Sequence, residues 1–313
     1  METMKAIICS KYGSPEVLQI KEFKKPILKE DEVLIKIYAT SVTDSDIFIR
    51  TSKVPLKILI PFRLMIGIRR PRNPIIGEVL AGVIEQIGSK IKRFKVGDKV
   101  FGFTGFSLGA YADYKCTKEI DSKKGCLAIM PDNISFEEAT SAAYGGLLAF
   151  QFMDKVNIQP NQKVLIYGAS STSGTIAIQY AKYLGAEVTG VCGKTNLQFV
   201  KSLGADKVLD YTNSESINDL EEYDLILDAV GKRKSSELKK ACLNALTLTG
   251  KYISIDDEAL QLSSERLNKI VKLVESGKIK PVTDRIYNFD QIVEAHKYVE
   301  LGHKRGNVAI SVN

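Results

Sequence analysis

The stretch KVLIYGASSTSGTIAIQYAK, residues 163–182, runs from a short apolar segment through a turn of small residues into an amphipathic helical pattern. A buried strand, a tight turn and a helix in that order make a cradle for the pyrophosphate of a dinucleotide, because the helix N-terminus offers free N–H groups and positive dipole at the carboxyl end of the strand. Gly168 closes the strand, and Gly174 stands where the helix must come close to it. Ser171, Thr172 and Ser173 occupy positions where more glycine is expected. A Cβ held in the left-handed conformation at Ser171 costs about 1 to 2 kcal/mol and crowds the ligand. A hydroxyl bonded to a charged phosphate returns about 1.5 to 3 kcal/mol. The two are comparable, so the loop holds a pyrophosphate if the hydroxyls of Ser170, Ser171 or Thr172 face it. A glycine-poor loop is a weak signal alone, but this one lies between the first strand and the first helix of a long βα array.

From residue 163 onward strands alternate with helices: VLIYGA, a helix to Leu184, EVTGVC, a helix through Phe199, KVLDY, DLILDAV, a helix near 238–246, and KYISI. The alternation predicts right-handed βαβ units and a parallel sheet. The end of the second strand discriminates between nucleotides. An NAD site wants an acid there to hold the ribose 2′-OH, whereas this strand runs out through Cys192, Gly193, Lys194, Thr195 and Asn196. With no acid to repel it a 2′-phosphate is tolerated, and Lys194 can pair with it, which favours NADPH over NADH. Lys194 as a plain loop residue is the competing reading. Before residue 130 the pattern changes to short strands with period-2 alternation, turns such as 96–98, and glycines at 77, 82, 88, 97 and 102. Those signals predict a β-rich domain, a partly closed barrel. Between the halves, Asn133 or Ser135 can cap a helix with Glu137 and Glu138 in its first turn.

At 313 residues the chain has room for two cores, and 44% hydrophobic with 26% charged residues describes a globular protein. No run approaches the ~18 consecutive apolar residues of a spanning helix, and METMKAIICSKYG lacks the apolar stretch of a secretory signal, so the cytoplasm is the expected location. Cys9, Cys116, Cys126, Cys192 and Cys242 are odd in number and never spaced C-x-x-C, and they read as buried thiols in a reducing compartment. The net charge of +7 is local. Arg50, Lys53, Lys57, Arg63, Arg69, Arg70 and Arg72 follow one another with no intervening acid, and the rest of the chain balances at 37 basic and 37 acidic residues. A nucleic-acid partner would more often meet a wider basic stripe with interleaved aromatics than this single segment. It reads as a solvated loop, as a rim facing an anionic ligand, or as a contact with an anionic bilayer.

Taken in order, PIIGEVLAGVIEQIGSKIKRFKVGDKVFG, GAYADY, MPDNISFEEA, the cradle, SLGADKVLDY, YDLILDAVG and SGKIKPVTDRIY resemble the medium-chain dehydrogenase/reductase superfamily, and within it the zinc-free quinone oxidoreductase branch. The resemblance covers nearly the whole chain. It implies an α/β architecture: a GroES-like β-barrel domain from residues 1–130 completed by 282–313, a Rossmann domain with a doubly wound parallel sheet from 131–281, and the active site in the cleft between them. It places the phosphate loop on Gly168, Ala169, Ser170, Ser171, Thr172 and Ser173 up to Gly174, the 2′-phosphate pocket on Gly193 to Asn196 with Lys194, the adenosine-side tyrosine on Tyr211, and the nicotinamide-ribose loop on Ala229, Val230 and Gly231. The family's polar residue beside the nicotinamide, usually Asn, is Thr43 here, and the aromatic that often follows is Phe48. Between GKYISI and LNKIVKLVESGK only DDEALQLSSER intervenes, where relatives carry a further strand and helix. That region commonly pairs subunits, so a homodimer is the expected assembly.

A catalytic zinc needs three ligands from Cys, His or carboxylate. Zinc-dependent relatives place Cys and His where this chain has Thr43 and Glu78, and His296 and His303 lie near the last helix, where they read as surface or cap residues. No metal is expected. Without a Lewis acid the easy hydride acceptors are already electron-poor, so the resemblance implies hydride transfer from NADPH to a small apolar electrophile, a quinone or a conjugated enone or aldehyde. Thr43 and Ser45 are the candidates to hydrogen-bond the substrate oxygen, with Asp44 and Asp46 organising the turn. Two Y-x-x-x-K matches, Tyr111 with Lys115 and Tyr114 with Lys118, lie on a strand pattern before the nucleotide fold and read as coincidence. The segment KVPLKILIPFRLMIGIRRPR is expected to be a lid over the substrate in preference to a membrane contact. The competing function is a regulatory or interaction protein that binds NADPH in the same fold with little turnover.

Overall fold

Strands rich in buried apolar residues build the first sheet. The computed structural model describes residues 2–54, 56–232 and 235–312, with the side chains of 56–58, Lys57 among them, outside the described set. β1 (Thr3–Cys9) and β2 (Leu18–Lys24) form an antiparallel pair. β3 (Glu32–Ser41) buries Val33, Ile35, Ile37 and Ala39 and leads into the short α1 (Asp44–Thr51) and then α2 (Leu56–Ile66). β4 (Val79–Ile87), β5 (Lys99–Phe103), β6 (Tyr114–Lys118) and β7 (Cys126–Ile129) follow. The helix α3 (Phe136–Met153) is next, closed at its N-terminus by a capping box of Ser135 and Glu138. Ser135 is therefore the cap; Asn133 instead donates to the Val274 carbonyl at 3.0 Å.

The second half alternates as its sequence predicts. β8 (Lys163–Tyr167), α4 (Thr172–Tyr183), β9 (Glu187–Cys192), α5 (Leu197–Ser202), β10 (Lys207–Asp210), β11 (Tyr223–Asp228), α6 (Glu237–Cys242) and β12 (Leu246–Ser254) make a five-stranded parallel sheet in the order β10-β9-β8-β11-β12. This is a doubly wound Rossmann sheet. In the central β8, Val164 and Ile166 pack into one core while Leu165 and Tyr167 pack into another, so period-2 alternation serves two buried faces. The order reverses direction between β8 and β11, and loops diverge there to open a crevice.

The chain then returns. α7 (Ser264–Glu275), β13 (Thr283–Asn288), α8 (Ile292–Glu300) and β14 (Asn307–Ser311) end it. β14 pairs antiparallel with β3, so the last strand joins the seven-stranded sheet of the first half, β13-β14-β3-β4-β5-β7 with β6 also on β3. The long α3 is buried along most of its length because its Ala, Gly and Leu face both halves, with Leu147, Ala149 and Phe150 fully enclosed. One apolar cluster, containing Phe101, Phe103, Leu147 and Ile166, crosses from barrel to sheet. This packing fixes the cleft. All five cysteines are free, and burial pushes the Cys9 thiol up to about 11 and the Cys192 thiol up to about 12, so none is an activated nucleophile.

Candidate active site

Gly168 ends β8 with φ +82, and a Cβ there would stand 2.3 Å from Val230 Cγ1. Both conditions demand glycine. A Cβ on Gly174 would meet the Gly168 carbonyl at 2.3 Å, which is the close helix–strand approach expected from the sequence. Ser171 departs from expectation. Its φ is −72, an ordinary extended value, so no left-handed strain arises, and its Oγ accepts the Gly174 N–H at 3.0 Å as the N-cap of α4. Thr172 and Ser173 turn inward, 3% exposed each. The Thr172 hydroxyl donates to the Gly306 carbonyl at 2.8 Å and accepts from Lys304 Nζ at 2.7 Å, so it does not face the ligand. Ala169 is fully buried and ties the loop to β9 through its N–H to the Val191 carbonyl. Gly168, Ser170 and Ser171 are the loop residues that line the cleft.

The cleft has a volume of about 500 Å³ and lies between barrel and sheet. Cys192, Gly193, Thr195 and Asn196 form one end beside Tyr211. The Tyr211 ring lies 3.5 Å from where a Gly193 Cβ would be, so that glycine lets the aromatic close over the pocket. Asn196 donates to Ser170 Oγ at 3.3 Å and accepts from Arg305 Nε at 2.7 Å. Arg305 Nη2 reaches the Thr195 carbonyl at 2.9 Å. Lys194 is exposed on the short turn after β9 and does not line the cleft, whereas Lys304 does. Sequence reasoning missed the basic pair Lys304 and Arg305. Its only signal was HKRGN before the last strand, 109 residues from Asn196. Ala229, Val230 and Gly231 line the floor at the end of β11.

The barrel side is set by α1. Thr43 is 1% exposed and forms a capping box with Asp46: its N–H and Oγ1 donate to Asp46 Oδ2 at 2.9 and 2.8 Å, and the Asp46 N–H returns a bond at 3.1 Å. Its hydroxyl is therefore spent on the cap and does not line the cleft, a correction to the sequence reading. Ser45 does line it, with Asp44, Phe48, Tyr144 and Leu148. Beneath lie two buried carboxyls, Asp46 fully enclosed and Glu78 7% exposed. Burial, and then the Asp46 charge, pushes Glu78 well above the carboxylate range; burial pushes Asp46 up as well.

His296 is buried, contrary to expectation. Arg50 Nε donates to its Nδ1 at 3.3 Å and the Tyr111 hydroxyl lies 3.2 Å from its Nε2. Burial, and then the Arg50 charge, lowers it to about 3, so the ring is neutral. Arg50, fully buried, also donates to the Gly13 carbonyl at 2.6 Å and pairs with Glu300. The expected lid is not seen among the described residues of the basic segment, and residue 55 and the side chains of 56–58 lie outside them. Phe62 and Ile66 of α2 pack on the barrel core, Arg63 donates to Ser52 Oγ at 3.2 Å, and no described residue of 53–72 lines the cleft. Tyr111 of the first Y-x-x-x-K match is fully buried, while Tyr114 and Lys118 of the second bound β6.

Two tests of fit follow from these contacts. The spaces left by Gly168, Gly174 and Gly193, the N-terminus of α4 and the cluster around Asn196 suit an extended dinucleotide with an anionic end. The residues do not suit zinc. Thr43 is engaged with Asp46, the one further carboxylate set against Glu78 is that same Asp46, and among the described residues no group of three or more His, Cys, Asp or Glu can hold a metal ion.

Comparison with known proteins gives three family matches. Residues 29–131 match the alcohol dehydrogenase GroES-like domain, and residues 174–267 and 258–310 match two models described as zinc-binding dehydrogenase. The chain is 31% identical to a 2-methylene-furan-3-one reductase of Solanum lycopersicum, over 98% of this chain and 79% of that protein. It is 29% identical, over the same shares, to the chloroplastic NADPH-dependent alkenal/one oxidoreductase of Arabidopsis thaliana. The structure of the quinone oxidoreductase from Coxiella burnetii superposes over 100% of both chains with a TM-score of 0.87 at 26% identity.

Proposed function

This chain belongs to the medium-chain dehydrogenase/reductase superfamily, and on that premise we propose that it is a metal-independent oxidoreductase that reduces a quinone or a conjugated enone or aldehyde with NADPH. The observation that carries the reading is one continuous cleft joining a glycine-shaped phosphate cradle to Ser45, with no set of metal donors among the described residues. Gly168, Ser170 and Ser171 hold the pyrophosphate against the positive end of α4. Thr195 and Asn196, braced by Arg305 and joined by Lys304, receive the 2′-phosphate. Tyr211 covers the adenosine, and Ala229 to Gly231 support the nicotinamide ribose.

NADPH, when bound, supplies the hydride. Ser45 donates a hydrogen bond to the acceptor oxygen, where charge develops, while Phe48, Tyr144 and Leu148 form an apolar wall that excludes water. Thr43 acts as a positioning residue, since its cap fixes the start of α1 and hence Ser45. The names of the relatives support both halves of the proposal, one an alkenal/one oxidoreductase that uses NADPH and another a quinone oxidoreductase. Loss of NADPH absorbance on addition of a panel of small quinones and enones tests it. Turnover that resists a chelator is expected. Binding of NADPH without turnover on any acceptor would favour the competing reading of a regulatory protein in the same fold.

A further inference from the structure

Glu78 sits just before β4 as a carboxyl with little to hold it. It is 7% exposed, and among the described residues its Oε2 has no hydrogen-bond partner. The side chain set against its carboxyl is that of Ser45, a residue that lines the cleft. The titratable groups facing it are Asp46 from α1, Tyr111 from the loop before β6 and Tyr144 from α3. Behind Tyr111 stand neutral His296 and the Arg50–Glu300 pair.

The two acids are not equivalent. Asp46 receives the Thr43 N–H and hydroxyl, which favour its charged form. Each keeps one oxygen without a partner, Asp46 Oδ1 and Glu78 Oε2, but Asp46 has two donors on its other oxygen whereas only Ser45 is set against Glu78, and an ionised carboxylate wants all its lone pairs met. A carboxyl left so poorly solvated takes a proton in place of a charge, and the neighbouring Asp46 charge reinforces this. Of the proton the pair shares, Glu78 holds the larger part.

We propose that Glu78 is the proton store of the cleft, and that Ser45 passes its proton to the reduced acceptor and draws a replacement from Glu78. The inference rests on the oxidoreductase reading. An acceptor that has gained a hydride is one proton short of product. The Ser45 O–H bond breaks as the acceptor O–H bond forms, and the Glu78 proton moves to the Ser45 oxygen as its own O–H bond breaks. The carboxylate so formed is reprotonated from water once product leaves. Charge and atoms balance, and the proton consumed in each cycle comes from solvent.

Two measurements on the full chain test this. The infrared carbonyl band of a protonated carboxylic acid, recorded without substrate at about pH 7, is expected in the wild type, absent from Glu78→Gln and shifted in Ser45→Ala. In turnover, wild-type kcat is expected to fall as pH rises and Glu78 loses its proton. Glu78→Gln and Ser45→Ala should each lower kcat at neutral pH by about 10²-fold, with the Kd for NADPH unchanged and the alkaline fall gone from Glu78→Gln. A Glu78→Gln enzyme with wild-type kcat and pH profile overturns the proposal, as does a neutral-pH spectrum with no acid band that responds to Glu78. The band needs no turnover, so failure of the relay is separable from failure of the oxidoreductase reading. Should Glu78→Gln not fold, Ser45→Ala decides through the band shift and kcat together.

Discussion

Ser171 shows how a cradle short of glycine can work. Its backbone is extended, and the side chain that looked like an obstacle supplies the cap of α4 by accepting the Gly174 N–H. The left-handed position is Gly168, where the sequence keeps glycine. Replacing Ser171 by Gly is therefore expected to cost only a few tenths of a kcal/mol of stability, and by Ala about 1 kcal/mol, read from denaturant unfolding. NADPH binding by the glycine variant should stay near wild type. Markedly tighter binding would mean that the Ser171 side chain only obstructs. The same residue-level logic separates Thr43 from Ser45, neighbours with similar hydroxyls: one closes a helix cap and the other faces the cleft.

At the scale of elements, the turn between α8 and β14 completes the nucleotide end of the cleft. Gly306 N–H donates to the Ser170 carbonyl at 2.8 Å, Lys304 reaches Thr172, and Arg305 braces Asn196. A segment that begins the last barrel strand is thereby laid along the phosphate loop of the other half. If the proposed 2′-phosphate site is right, coenzyme choice would depend on this turn, since a 2′-phosphate beside Asn196 would meet the Arg305 guanidinium. Arg305→Ala is expected to raise the Kd for NADPH about tenfold and that for NADH far less, a difference of about 1.4 kcal/mol, measured by fluorescence titration of both. Equal losses for the two coenzymes would reduce Arg305 to a brace for the loop.

For the molecule as a whole, the five-stranded sheet ends at β12 with its outer edge unpaired among the described residues, and Leu248 on that strand is fully exposed. Open edges recruit further strands unless they are blocked. A homodimer pairing there is the expected assembly, with Leu248→Lys shifting the mass by light scattering to that of one chain. A wild-type protein that is monomeric at micromolar concentration would end this expectation. The sequence by itself determined the Rossmann sheet, the glycine positions of the cradle and the β-rich first half, because periodicity of 2 or 3.6 and the need for positive φ are local properties of the backbone. The lack of an acid after Cys192 was equally legible. Only the tertiary structure decided which polar groups lose water and whom they meet. Arg50 finds His296 across 246 residues, Thr172 finds Gly306 across 134, and Glu78 is left beside Asp46 beneath Ser45. The partners of a buried charge are chosen by how whole elements pack, and no local pattern encodes that choice.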